Sequence, residues 1–186
     1  LLFDINRMLH SGIRIFRPRE LARCASALAS LGIRQPAMMY CIGAEAAKKV
    51  HDFKASQLAA LLTAFATAGI QDSAMMQPVV AELTRKVSEL TTAEIGQSAW
   101  ALAALRLRST SALGALSDVA AALGDEGSVA VAQVAWALDA AGLRRAAQML
   151  LRSQTENQAT DFCNVRPELL VAACILGEPQ PAMEAK

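Results

Sequence analysis

The chain has 186 residues, 54% of them hydrophobic and 19% charged, with a formal net charge of +1. That balance excludes a disordered tail and a basic nucleic-acid arm. Four cysteines without a Cys-x-x-Cys spacing and two distant histidines exclude a zinc site and a disulfide framework, so neither a metal nor a cofactor is expected.

Alanine supplies 39 residues and aromatics only 4%, which favours closely packed helices. The longest uncharged stretch, residues 55–71, holds Ser56, Gln57, Thr63 and Thr67 and reads as a buried helix, so no membrane contact is expected. Residues 1–16 fit the second half of a repeat, because Ile5, Ile13 and Phe16 fall 37 residues before Ile42, Val50 and Phe53. The chain therefore starts inside a repeat, and an upstream extension is expected.

Four blocks then follow one another: Leu21–Ile33, Leu58–Ile70, Ile95–Leu107 and Val131–Leu143, spaced by 37, 37 and 36 residues. Their seventh column is alanine throughout: Ala27, Ala64, Ala101 and Ala137. Their twelfth reads Gly32, Gly69, Arg106 and Gly142. Self-similarity at such a period is the signature of a stacked-repeat architecture. Each block predicts a first helix, A, with apolar residues such as Leu21, Ala25, Leu28 and Leu31 on one face. Pro18 suits its first turn and Gly32 its C-terminal cap.

A second helix, B, follows each block and carries Ile42, Ala46 and Val50, or Val79, Leu83 and Val87. Asp72, Ser73 and Ser109–Ser111 suit its N-cap. Met38, Met39, Met75 and Met76 recur at the repeat period, which marks core packing. Helix A is expected to be the buried one and helix B the amphipathic outer one. Trp100 and Trp136 share one column and are expected to be mostly buried.

The fold class is therefore all-α: an α-solenoid of stacked helix-turn-helix repeats of about 37 residues, because no hairpin of this kind can bury its apolar face alone. The boundaries are a partial repeat at 1–16, repeats at 17–53, 54–90, 91–127 and 128–164, a partial fifth at 165–177, and a loose tail at 178–186.

The lead-in FRPRELA (residues 16–22), followed by SALASLG, SAWALAAL and VAWALDAAG cores, resembles the octotricopeptide and heptatricopeptide repeats. Those repeats are related to RAP-domain and FAST-kinase-like proteins. The tryptophan of the core motif is replaced by Ser26 and Thr63 in the first two repeats, and no RAP domain follows. The resemblance implies an RNA-binding protein of a mitochondrion, or alternatively of a plastid. It would serve as a structural component of a mitochondrial ribosome holding rRNA, or as an RNA-maturation factor. Its neighbours would be proteins of a large complex.

No phosphate loop, nucleophile elbow or metalloprotease motif is present. The adjacent carboxylates in Gly124–Gly127 read as a solvated turn, and His10 and His51 as surface groups. An enzyme is not expected, nor is a small-molecule substrate.

The cations fall in columns. Arg17 aligns with Lys54, and Lys48 and Lys49 align with Arg85 and Lys86. Arg34, Gln71, Arg108 and Arg144 share a column just after helix A. A solenoid sets such columns out as stripes that can follow a phosphate backbone without reading bases. The candidate RNA-binding residues are therefore Arg17, Arg34, Lys48, Lys49, Lys54, Arg85, Lys86, Arg108 and Arg144. Residues 1–34 carry net +4, so the N-terminal third is the expected RNA end. The alternative is an armadillo- or HEAT-like protein–protein scaffold without RNA contact, which low net charge and few aromatics favour.

Overall fold

Each alanine-rich block forms one helix, and its ends are built the same way from repeat to repeat. The computed structural model describes residues 12–33, 36–71, 73–107, 109–123 and 128–158. The first helices are α1 (Pro18–Ser30), α3 (Ala55–Ala68), α5 (Thr92–Ala104) and α7 (Ser128–Ala140). The second helices are α2 (Pro36–Lys48), α4 (Ser73–Arg85), α6 (Thr110–Ala122) and α8 (Arg144–Gln158). The described residues are all-α, with no strand among them. Residues 1–11 and His10 with them, Asp72, the Gly124–Gly127 turn, the fifth repeat and the tail lie outside the described residues.

At the N-terminus of α1, α3 and α5 a side chain three residues in turns back to the cap. Glu20 accepts from the Arg17 N–H at 2.8 Å, Gln57 from Lys54 at 3.1 Å, and Glu94 from Thr91 at 2.8 Å. One otherwise orphaned donor is satisfied each time. Pro18 takes the first position of α1, where its missing N–H costs nothing.

At the C-termini the twelfth column does one job. Gly32, Gly69 and Gly142 have φ of +64°, +68° and +84°, and Arg106 takes +54° in the same place. The next residue's N–H then returns to a helix carbonyl: Ile33 to Leu28, Ile70 to Phe65, Leu107 to Leu102 and Leu143 to Leu138, at 2.8–3.1 Å. This is the six-to-one closure that ends helices at a left-handed residue. Helix α6 starts as expected, with Ser109 Oγ accepting from the Ala112 N–H.

The helices form two sequential layers. Helix α1 packs on α3, α3 on α5 and α5 on α7, while α2 packs on α4, α4 on α6 and α6 on α8. Contacts are more extensive in the first layer. Alanine is the reason: Ala59, Ala64, Ala99, Ala101, Ala135 and Ala137 are all buried there, and a methyl group lets backbones approach. At Gly96 even a methyl would overlap the Gln133 side chain of α7. Met38, Met39 and Met76 are buried, as their period predicts.

The tryptophan expectation fails. Trp100 is 36% exposed and Trp136 46% exposed. Each precedes the shared alanine by one residue, and one residue turns a helix by about 100°. The alanine takes the close A–A contact, so the indole is carried onto the open face of the layer. Only a narrow stripe of these two helices is open, Ala93, Gln97 and Trp100 on α5 and Val129, Gln133 and Trp136 on α7, so helix A is the more buried of the pair in these two repeats, as expected, with the indoles on its exposed stripe.

Ser98, on α5, is fully buried, and its Oγ makes no hydrogen bond among the described residues. The matching positions are Cys24, Leu61 and Val134. An unmet buried hydroxyl costs about 1–3 kcal/mol. Ser98→Ala should therefore stabilise the fold by about 1 kcal/mol in urea unfolding. A loss of stability would show that the hydroxyl is satisfied after all.

Candidate nucleic-acid interface

The C-termini of α2 and α4 carry the same five-residue pattern: Glu45-Ala-Ala-Lys48-Lys49 and Glu82-Leu-Thr-Arg85-Lys86. Positions i+3 and i+4 lie over one face of a helix, so both cations of each pair meet the carboxylate. Lys48 Nζ is 3.3 Å and Lys49 Nζ 3.0 Å from Glu45. Arg85 Nε donates to Glu82 Oε2 at 3.1 Å, and Lys86 Nζ lies 2.9 Å from Oε1. His51 Nδ1 is 3.0 Å from Glu82 Oε2, and the ionised carboxylate can only accept, so the ring donates. Both glutamates are buried, Glu82 with its side chain 3% exposed.

The second lysine of each pair does something further. Lys49 Nζ donates to the carbonyls of Arg14 and Phe16 at 2.6 and 2.9 Å. Lys86 Nζ donates to those of His51 and Phe53 at 3.1 and 2.6 Å. The acceptors are themselves 37 residues apart, in and just after the 3-10 turns Ile13–Ile15 and Val50–Asp52. Each lysine thus ties its own B helix to the turn that closes the preceding repeat. Lys86 keeps only 13% of its side chain exposed. Reading Lys49 and Lys86 as surface cations of a stripe is therefore corrected: their ammonium groups hold one repeat to the next.

The outer members of the pairs are different. The side chains of Lys48 and Arg85 are 67% and 64% exposed. Arg17 and Lys54, at the N-caps of α1 and α3, are exposed and have no ion-pair partner among the described residues. These four share one edge of the layers, where B helices end and A helices begin. Arg144 starts α8 on the opposite edge, and its Nε donates to Asp139 Oδ1 at 2.9 Å. Gln71 of that column instead donates to the Ala104 carbonyl at the end of α5. Arg34 and Arg108 lie outside the described residues. The nine candidates thus do not form one surface.

Sequence reading passed over three groups. Glu45 and Glu82 were signalled by a carboxylate placed before a cation pair at the repeat spacing. Arg19 and Arg23, one turn apart on α1, line a groove of about 440 Å³ between α1 and α3 with Ser26, Ser56 and Gln57. Arg106 was signalled by replacing glycine in the capping column.

Among the described residues no group of three or more His, Cys, Asp or Glu could hold a metal ion, and no helix is long and apolar enough to cross a membrane. No family model matches the chain, and no curated protein shows significant similarity to it.

Two outcomes follow from the buried carboxylates. Lys86→Gln should cost about 2 kcal/mol, because a charged donor to two carbonyls and a buried carboxylate is lost. Lys48→Gln should cost about 0.5 kcal/mol or less, as an exposed ion pair does. Equal losses in chemical unfolding would mean that the two lysines are equivalent.

The second outcome concerns pH. Hydrogen bonds from Arg85 above all, then from Lys86 and His51, hold the Glu82 carboxyl well below its ordinary value of 4.5, against the opposing effect of burial. Lys49 first, then Lys48, lowers Glu45 in the same direction. A depressed carboxylate stabilises the fold fully above its unfolded value, and that contribution is withdrawn as pH falls below it. The melting temperature should therefore drop steeply below pH about 4.5, the ordinary carboxylate value. Glu45→Gln/Glu82→Gln should melt lower at pH 7 and with a flatter acid limb. An unchanged limb would place the acid sensitivity elsewhere.

Proposed function

We propose that the chain is an RNA-binding α-solenoid of about 37-residue repeats, of the octotricopeptide and heptatricopeptide kind, serving in a mitochondrion. The role that fits best is structural: holding rRNA in a mitochondrial ribosome, or an RNA under maturation. No catalysis is proposed.

The observation that carries the reading is a surplus of positive charge on one edge. Each buried glutamate meets two cations, so each of the two clusters keeps one net positive charge, presented by Lys48 or Arg85. Helix α2 packs on α4, which puts the two surplus charges on neighbouring helices. Arg17 and Lys54 each add a cation unpaired among the described residues, at the start of α1 and of α3, along the same edge. Cations spaced by the repeat suit successive phosphates, and contacts of this kind position RNA without reading sequence.

A second reading, a protein–protein scaffold of the armadillo or HEAT kind, is favoured by the internal use of Lys49 and Lys86. It removes two cations from the surface.

Binding of structured and single-stranded RNA should be measured by fluorescence anisotropy across a range of salt. Lys48→Gln/Arg85→Gln should flatten the slope of log affinity against log salt by about 1.5, since each phosphate contact contributes roughly 0.7–0.9. Affinity for all RNAs should fall alike, with the fold intact. Salt-independent or absent binding would leave the scaffold reading standing.

A further inference from the structure

On the edge opposite Lys48 and Arg85, α5 and α7 enclose a groove of about 540 Å³. Leu102, Ala103 and Leu107 make its floor, with Leu113 of α6 beneath, and Trp136 and Arg106 are its two large side chains. No acidic residue lines it. The indole of Trp136 is 46% exposed, and Trp100 stands in the matching position on α5.

Arg106 is in an unusual state. It is the one non-glycine residue at positive φ among the described residues, in a column where the other three repeats place glycine. Its N–H donates to the Ala103 carbonyl at 3.0 Å, while its side chain is exposed, with no hydrogen-bond or ion-pair partner for the guanidinium among the described residues. Strain of this kind persists where the surroundings, or a function, hold it in place. Arg106 also borders a second groove of about 440 Å³, where Gln77, Ser109 and Ser111 stand beside Val80, Ala81 and Leu107. An unpaired cation thus stands between a groove carrying an aromatic ring and a second groove in which an amide and two hydroxyls sit among apolar side chains.

We infer that this pair of grooves binds a short segment of single-stranded RNA, one base stacked on Trp136, the adjoining phosphate on Arg106, and the next ribose and base edge against Gln77, Ser109 and Ser111. The inference rests on the RNA reading above but uses none of the residues on the cationic edge. Charge complementarity selects the occupant: a phosphate neutralises Arg106 where an apolar protein segment would leave it buried and unpaired. A base has a flat face for the indole, whatever its sequence.

Trp100→Phe leaves Trp136 as the sole tryptophan, so its fluorescence reports this groove. Titration with a single-stranded oligouridylate should quench that emission in step with binding followed by anisotropy of the labelled oligonucleotide. Arg106→Gly should weaken binding roughly tenfold, on the scale of one lost stacking or phosphate contact. The same variant should melt at a higher temperature, because glycine takes the left-handed conformation freely. A merely structural Arg106 would show the thermal gain without the loss of affinity. Binding with unquenched Trp136, or with Arg106→Gly at full affinity, overturns the inference and leaves RNA binding on the cationic edge. No binding to any RNA removes both. Self-association in sedimentation that Trp136→Ser abolishes would make the groove a protein contact and overturn the inference as well.

Discussion

Helices α1, α3, α5 and α7 lie against one another through methyl groups, and the depth of that approach sets the rest of the architecture. Ala64, Ala101 and Ala137 are buried on α3, α5 and α7, and small side chains at such positions let the helices approach closely. Everything bulky on these helices must turn either toward the second layer or toward solvent. Leu58, Leu62 and Phe65 turn inward and form the core with Ile42, Val79 and Leu83. Trp100 and Trp136 turn outward. Close packing of small residues thus goes with two aromatic rings left facing solvent.

The second layer is spaced more widely and uses a different adhesive. Its long side chains reach past the helix ends to the turns of the preceding repeat. A lysine ammonium has three donors, and Lys49 and Lys86 each spend them on two carbonyls and a buried carboxylate. Removing so many polar groups from water is tolerable because each finds a partner. The carboxylate, in turn, is retained because one cation is bonded inward and another faces water. Structure and surface charge therefore come from the same five residues in each of the first two full repeats.

Much of this was legible in the sequence. The alanine-rich blocks placed helices among the described residues, the glycine column marked three of the four left-handed caps, and Pro18 and Ser109 marked two helix starts. Those signals are local, so a single chain segment carries them. The cations were not legible in the same way. Lys48 and Lys49 are adjacent in sequence and chemically alike, yet one is solvated and the other is held by carbonyls more than 30 residues away. Only the stacking of one repeat on the next distinguishes them. Trp100 and Trp136 misled for a related reason. Their column is one step from the buried alanine, and hydrophobicity alone favoured putting both inside.

The lysine ties stop partway along the chain. Where Glu82, Arg85 and Lys86 stand in the second repeat, the third has Val119, Ala122 and Leu123. Leu123 is half-buried against the core, and α6 still touches the Val87–Glu89 turn. The seam there is greasy rather than pinned. Directional hydrogen bonds resist sliding, whereas apolar surfaces tolerate small shifts at constant burial. The first two seams are thus held by lysine hydrogen bonds and ion pairs, and the third by apolar packing. Both rings lie beyond that third seam, Trp100 on α5 and Trp136 on α7, so a shift there would carry them together relative to the first two repeats.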